Sequence, residues 1–235
     1  MLIVFVIFTG LYKEFLIIFS IIIIHEFGHL FCAVYYKWNI DKISIYPYGG
    51  CVSFNEKINR PIREELIILV MGPIVQMVYF LVIYLFFMNG FIDFKTYSLF
   101  KTYNFTLLSF NLMPIYPLDG GRIVNVVSNY LFSYRWCNLI ICIVSILFIF
   151  LVVINSYSIN LVLMMVFVLT EVFVFIRQQG YLYNKFLLER YLGDYNFLKY
   201  KVIKNKDGFY RDKRHIIYID NKYVTEKEYL RGRYK

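Results

Sequence analysis

Charge is scarce in this chain. Only 17% of its 235 residues are Asp, Glu, Lys or Arg, while 60% are hydrophobic and 21% aromatic, proportions outside the range of water-soluble domains. A soluble fold of this size has too little interior to hide that much apolar surface, so that class is excluded. Cysteine is sparse as well. Cys32, Cys51, Cys137 and Cys142 form no C-x-x-C pair, which argues against a zinc ribbon or a disulfide framework and leaves them as small apolar fillers. There is no internal repeat at a fixed period and no low-complexity tract, which excludes solenoids and arrays.

What the chain does have is long apolar runs. About 20 such residues are needed to cross roughly 30 Å of hydrocarbon, and the sequence predicts spans over 15–36, 66–88, 137–155 and 159–176, with 97–113 as a less apolar fifth. Residues 1–12 give a short sixth, since Lys13 and Glu14 interrupt the first run before it covers half a bilayer. That helix is either short or begun upstream. A cleaved signal peptide is the weaker reading, because no basic leader or small-residue cleavage site precedes the next run. The expected fold class is an all-α polytopic membrane protein of about six transmembrane helices, with a short membrane-associated strand or turn segment and a small basic cytoplasmic tail.

Basic residues gather in 37–65, 114–136 and 177–235, which places those segments and both termini on the cytoplasmic side. The stretch from 177 onward holds 15 of the 25 Lys and Arg residues against seven acids, and so most of the net charge of +9. The expected division is a membrane domain, 1–176, and a solvated basic tail, 177–235, beside anionic lipid. No nucleic-acid-binding motif accompanies that charge, so nucleic acid is not an expected partner.

One apolar run contains three ionisable side chains: His25, Glu26 and His29 in His25-Glu26-Phe27-Gly28-His29. A charged group at such a depth costs about 2.5 kcal/mol or more, so an intramembrane cluster of this kind points to function. Residues four apart share a helix face, so both imidazoles can address one metal ion, and Glu26 beside them falls where H-E-x-x-H hydrolases place their general base. A merely structural polar cluster gives no reason for metal-ligand spacing with an intervening Glu. The expected cofactor is one zinc ion per chain.

A catalytic zinc needs a third protein ligand. Asp119 is the first candidate, in Asn111-Leu112-Met113-Pro114-Ile115-Tyr116-Pro117-Leu118-Asp119-Gly120-Gly121, where two prolines break a helix. Broken helix at membrane depth is tolerated where it lines protein or a wet cavity. The alternative is a prolyl turn whose acid caps the next helix. Glu171, the one acid in the last predicted span, is the rival ligand and ranks below Asp119. Asn111 is a candidate for hydrogen-bonding substrate backbone or a developing oxyanion. Pro117 joins it as a substrate-positioning candidate, and so do Gly49 and Gly50 in an aromatic, glycine-containing stretch, 46–52, that reads as an edge for strand addition or as an interfacial turn. Asn104, Thr106 and Ser109 are read as aids to helix association.

The pairing of the His25 to His29 motif with Asn111 to Gly121 resembles the two signatures of the site-2 protease family of intramembrane metalloproteases. Tyr46-Pro47-Tyr48-Gly49-Gly50, Asn59-Arg60-Pro61 with Glu64-Glu65, Gly72-Pro73 and Leu187-Leu188-Glu189-Arg190-Tyr191 resemble the sporulation branch of that family over roughly residues 1–195. The resemblance implies that His25, His29 and Asp119 bind zinc and that Glu26 is the catalytic base. It implies a membrane-associated pro-sigma factor as substrate, cut near the cytoplasmic face to remove its pro-sequence. It also implies inhibitory membrane proteins as partners, a location in the mother-cell-derived membrane around the forespore, and leaves a homo-oligomer open. The tail is short for the regulatory nucleotide-binding domain that some members carry. A membrane zinc-binding or transport protein without protease activity is the alternative, and it would be expected to show more than one ligand cluster along a path.

Overall fold

The computed structural model describes residues 12–46, 49–54, 57–155, 158–193, 195, 197, 199–204, 208–219 and 221–234. The expected short first helix falls outside them but for Tyr12, and so do Pro47 and Tyr48. The chain divides into two compact units, Met1–Asn55 with Ile67–Leu112, and Glu56–Leu66 with Met113–Lys235.

The first unit is built on α1 (Tyr12–Tyr35), β1 (Ile40–Tyr46), β2 (Gly49–Phe54), all but the first turn of α2 (Ile62–Met88), and α3 (Phe94–Asn111). At about 1.5 Å per residue the 24 residues of α1 reach about 36 Å, enough for a bilayer. Its buried face is Ile21, His25, Glu26, Gly28, His29, Cys32 and Ala33, whereas Leu16, Phe27, Phe31 and Val34 are exposed. Polar and small groups therefore face inward and large apolar ones outward, the pattern of a helix whose solvent is lipid. Gly28 lets α2 approach closely, because a Cβ there would meet the Met71 carbonyl oxygen at 2.5 Å and Gly72 Cα at 2.9 Å. The helix stops in a Schellman turn. Lys37 takes a left-handed φ of 55°, its N–H donates to Val34 (3.0 Å), that of Trp38 donates to Ala33 (2.8 Å), and Trp38 buries against Cys32, Ala33 and Ile68.

Strands β1 and β2 pair antiparallel, with Ile43 opposite Val52 and Tyr46 opposite Gly49, so the aromatic stretch lies in an antiparallel strand pair. Helix α2 carries Pro73 in its interior. Helix α3 starts at Asp93, whose carboxylate accepts from the Thr96 N–H (3.0 Å) and hydroxyl (2.6 Å). Stacked rings join α2 to α3, among them Phe87 on Tyr97 with centroids 4.4 Å apart.

The second unit contains α4 (Asp119–Ser128), α5 (Tyr134–Asn155), α6 (Ile159–Leu192), β3 (Tyr200–Ile203), β4 (Arg214–Ile219), β5 (Lys222–Thr225) and α7 (Glu226–Tyr234). Among the described residues four helices, α1, α2, α5 and α6, are long and apolar enough to cross a membrane. Helix α3, at 18 residues and richer in polar groups, is the element found at the expected fifth span.

The tail departs from expectation. The last span was predicted to end at 176, with solvated chain beyond, yet α6 runs on to Leu192 and β3, β4 and β5 form a mixed sheet, β3 parallel to β4 and β4 antiparallel to β5. Its core is Phe186, Leu187, Phe209, Ile217 and Leu230, all fully buried, with Tyr134 against them. Short strands interleaved with Lys and Arg conceal that core in a charge count.

Two cations are buried with it. Arg190, 3% exposed, pairs with Glu226 and donates to the backbone carbonyls of Tyr210 and Arg211 (both 3.1 Å) and to Asn59 Oδ1 (3.2 Å). Arg211 pairs with Glu65. Because each is hydrogen-bonded to a carboxylate, burial is tolerated. His215 donates from Nδ1 to Glu226 Oε2 (3.0 Å) and accepts the Tyr210 N–H at Nε2 (2.9 Å). That arrangement requires the neutral ring, and burial accordingly pushes His215 below its usual range, against the pull of Glu226. Burial would raise the Glu226 carboxyl, but hydrogen bonds from His215 and Arg190 outweigh it and hold the group at about 2.

Candidate metal centre

His25 and His29 lie one turn apart on the inward face of α1, 2% and 6% exposed. Their Nε2 atoms are 3.1 Å apart. Which of these nitrogens carries hydrogen follows from what stands behind each ring. His29 Nδ1 is 2.8 Å from the Ile68 backbone carbonyl, an oxygen that can only accept, so Nδ1 is protonated and Nε2 presents a lone pair. Pro73 has no N–H for Leu69, so the helical ladder of α2 is interrupted beside the carbonyl that His29 uses. His25 Nδ1 is 2.8 Å from Gln76 Oε1, and the same logic gives its Nε2 a lone pair.

Two lone pairs 3.1 Å apart repel unless a cation sits on them, and two imidazole Nε2 atoms with hydrogen-bonded Nδ1 partners are the donor set that zinc prefers. The residues present therefore fit the metal. Gly72 adds a steric condition. A Cβ at this position would overlap His29 and approach His25 Nε2 to 2.9 Å, so α2 can lie against both rings only through a glycine.

Glu26, 9% exposed, is turned about 100° from His25 on the helix. With Ile21, Ile22, His25, Gln76, Leu107 and Asn111 it lines a cavity of about 10 Å³, the size of one water molecule. The side-chain nitrogen of Asn111 lies 3.5 Å from His25 Nε2, at the edge of hydrogen-bonding distance. This unit thus collects His25, Glu26, His29 and Asn111. Gly49 and Gly50 lie on β2, opposite Tyr46 and Ile45.

Asp119 and Pro117 belong to the second unit. The Tyr116–Pro117 peptide is cis, Tyr116 donates its N–H to Ser145 Oγ (2.9 Å) and stacks on Phe175 with centroids 3.9 Å apart. A Cβ on Gly121 would overlap the Ile115 backbone, so the second glycine after the acid is what lets the turn fold tightly onto α4. Asp119 is the first residue of α4, preceded by Leu118 as N-cap with no side-chain cap, and is half-buried. It does not serve as the N-cap, the alternative weighed for it. Glu171 sits in α6, partly exposed.

Gln76 and Asn104 were not foreseen as parts of the site. Gln76 is the one amide in the apolar run 66–88, four residues after Gly72, and that isolation was the available signal.

An H-E-x-x-H metal centre inside apolar helices defines an integral membrane metalloprotein. Comparison with known proteins narrows the class. The sequence profile of peptidase family M50 matches residues 14–101. Stage IV sporulation protein FB of Bacillus subtilis (strain 168) is 30% identical over 190 residues, covering 79% of this chain and 66% of that protein. A zinc metalloprotease of Methanocaldococcus jannaschii is 36% identical over 126 residues, 51% of this chain and 35% of that protein. The chain thus spans just under two thirds of the first of these relatives and about a third of the second. The solved structure of a site-2 protease from Methanocaldococcus jannaschii matches with a TM-score of 0.55 at 30% identity, over 68% of this chain and 76% of that one. The chain belongs to peptidase family M50, the site-2 proteases.

Proposed function

We propose that this protein is an intramembrane zinc metalloendopeptidase, with His25, His29 and Asp119 as zinc ligands and Glu26 as general base. The observation that carries the reading is the pair of Nε2 atoms, 3.1 Å apart, buried in an apolar helix one residue from a carboxylate. Bound there, zinc supplies Lewis acidity at the scissile carbonyl. Glu26 accepts a proton from the attacking water and returns it to the leaving amine. Asn111 donates to substrate backbone or to the developing oxyanion. The substrate must enter unwound, since helical hydrogen bonds shield its carbonyls, and the β1–β2 pair offers an edge for it through Gly49 and Gly50. Pro117 shapes the turn that presents Asp119.

The substrate we infer is a membrane-associated protein, the pro-form of a sporulation sigma factor, in keeping with the sporulation relative. Basic residues in 37–65, 114–136 and 177–235 support cytoplasmic termini and a cut near that face. The corresponding location is the bacterial cell membrane, in the mother-cell-derived membrane around the forespore, with inhibitory membrane proteins as partners. Co-expression of the full chain with a tagged pro-sigma factor tests this reading. Glu26→Gln is expected to lower processing about 10²- to 10⁴-fold with zinc content unchanged, and retained cleavage overturns the assignment.

A further inference from the structure

Behind His25 stands a relay of two buried amide residues. Gln76 on α2 and Asn104 on α3 are both 0% exposed, in helices that otherwise bring few polar side chains inward. Gln76 Nε2 lies 2.9 Å from the backbone carbonyl oxygen of Asn104 and 3.2 Å from its side-chain oxygen. The backbone oxygen can only accept, so the atom facing it must be the amide nitrogen. This fixes the orientation of the amide by chemistry rather than by choice. The other end of Gln76, 2.8 Å from His25 Nδ1, is then the oxygen, and an amide oxygen accepts from Nδ1–H.

We propose that Gln76, held by Asn104, is the positioning residue that sets the tautomer of His25 and aims its Nε2 lone pair at the metal. Were the Asn104 backbone oxygen not there to accept from it, the amide could turn over, offer N–H to Nδ1, and move the imidazole hydrogen to Nε2. The relay plays the part that a carboxylate often plays behind a zinc-bound histidine, but does so without charge. Helix association alone does not account for it, since that role would be met by the Gln76–Asn104 contact and gives no reason for the remaining oxygen to end on a metal-ligating ring.

The inference rests on the zinc-site reading, and the test separates the two. The full chain is purified in detergent as wild type, His25→Ala, Gln76→Leu, Gln76→Glu and Asn104→Leu. For each, zinc content and zinc release to a competing chelator are measured, alongside thermal unfolding. Wild type without zinc, or His25→Ala with normal zinc, would overturn the site itself. Given a sound site, Gln76→Leu is expected to weaken zinc binding about 10- to 100-fold, the usual cost of losing such a partner. Asn104→Leu, which keeps the backbone oxygen that fixes the amide, should weaken it little, and Gln76→Glu, which keeps an acceptor for Nδ1, should hold zinc better than Gln76→Leu. Should Gln76→Leu prove misfolded, Gln76→Met, close to Gln in shape and without the amide, takes its place. The proposal fails if Gln76→Glu loses zinc as readily as Gln76→Leu, or if zinc release in all three variants merely follows their loss of thermal stability.

Discussion

The two ends of this chain solve opposite problems. In α1 and α2 the interior holds His25, Glu26, His29 and Gln76 while Phe31, Leu81 and Leu85 are exposed. In the tail Phe186, Phe209, Ile217 and Leu230 are fully buried, and the polar side chains inside them, Arg190 and His215, are tied into one network through Glu226. Lipid gives apolar side chains no reason to leave it, so in the membrane part contact is made by small residues such as Gly28 and Gly72 and by polar links. Water does drive apolar burial, so the tail has a conventional core. The difference explains why one set of composition rules fails across the whole molecule.

The largest effect expected from disturbing the membrane side comes from its smallest residue. Gly72→Ala would press a methyl group onto His29 and His25, and overpacking a rigid site by one carbon displaces ligands. Activity and zinc content are expected to fall together, activity by about 100-fold or more, since misplacing catalytic groups by about 1 Å costs that much. Normal zinc and turnover in this variant would show that the α1–α2 contact is looser than the geometry states.

Next in size is a matched pair of leucines. Leu230→Ala, at a fully buried position of α7, is expected to destabilise the tail by about 2–5 kcal/mol. Leu81→Ala, 55% exposed on α2, should change stability by less than about 1 kcal/mol, because its side chain already lies in a medium as apolar as the interior. Hydrogen exchange of the tail and thermal unfolding of the whole chain read the two. Equal effects would break the contrast.

The smallest effect is that of pH on the tail. His215 has a depressed pKa when folded, so the unfolded chain binds the extra proton more readily. The stability it contributes is present above its usual value of 6.5 and is lost as pH falls through the lower folded value. Glu226 is likewise depressed, from 4.5 to about 2, and its contribution is lost only below about 4.5. Amide exchange in β4 and α7 should therefore quicken on acidification below 6.5 and steepen further below 4.5. Exchange in β4 and α7 that stays constant from about pH 7 to about 4 would show that folding does not hold these two groups below their usual ranges.

How much of this could be read from the residues depends on the medium each segment lives in. The spans were visible because lipid demands unbroken apolar runs, and the expected bounds of 15–36, 66–88 and 137–155 fall within a few residues of α1, α2 and α5. His25, Glu26 and His29 stood out because ionisable groups are rare there. Gln76 did not, since a single amide in an apolar helix reads equally well as helix glue, and only the position of the Asn104 carbonyl reveals which way it points. The tail sheet was hidden for a different reason. Its strands are four to six residues long, each begins with or contains a cation, and their burial is completed by Phe186 and Leu187 from a helix that the apolar pattern alone would end at 176, well short of Leu192.

The neutral groups behind the two imidazoles also set the electrical balance of the site. An amide oxygen orients His25 and a peptide oxygen orients His29, so both Nδ1 partners are uncharged. A doubly charged cation on two neutral imidazoles is then offset by two carboxylates, Glu26 and, on our reading, Asp119, for a sum of zero. In hydrocarbon, where every uncompensated charge is penalised, a third carboxylate behind either histidine would leave the assembly anionic.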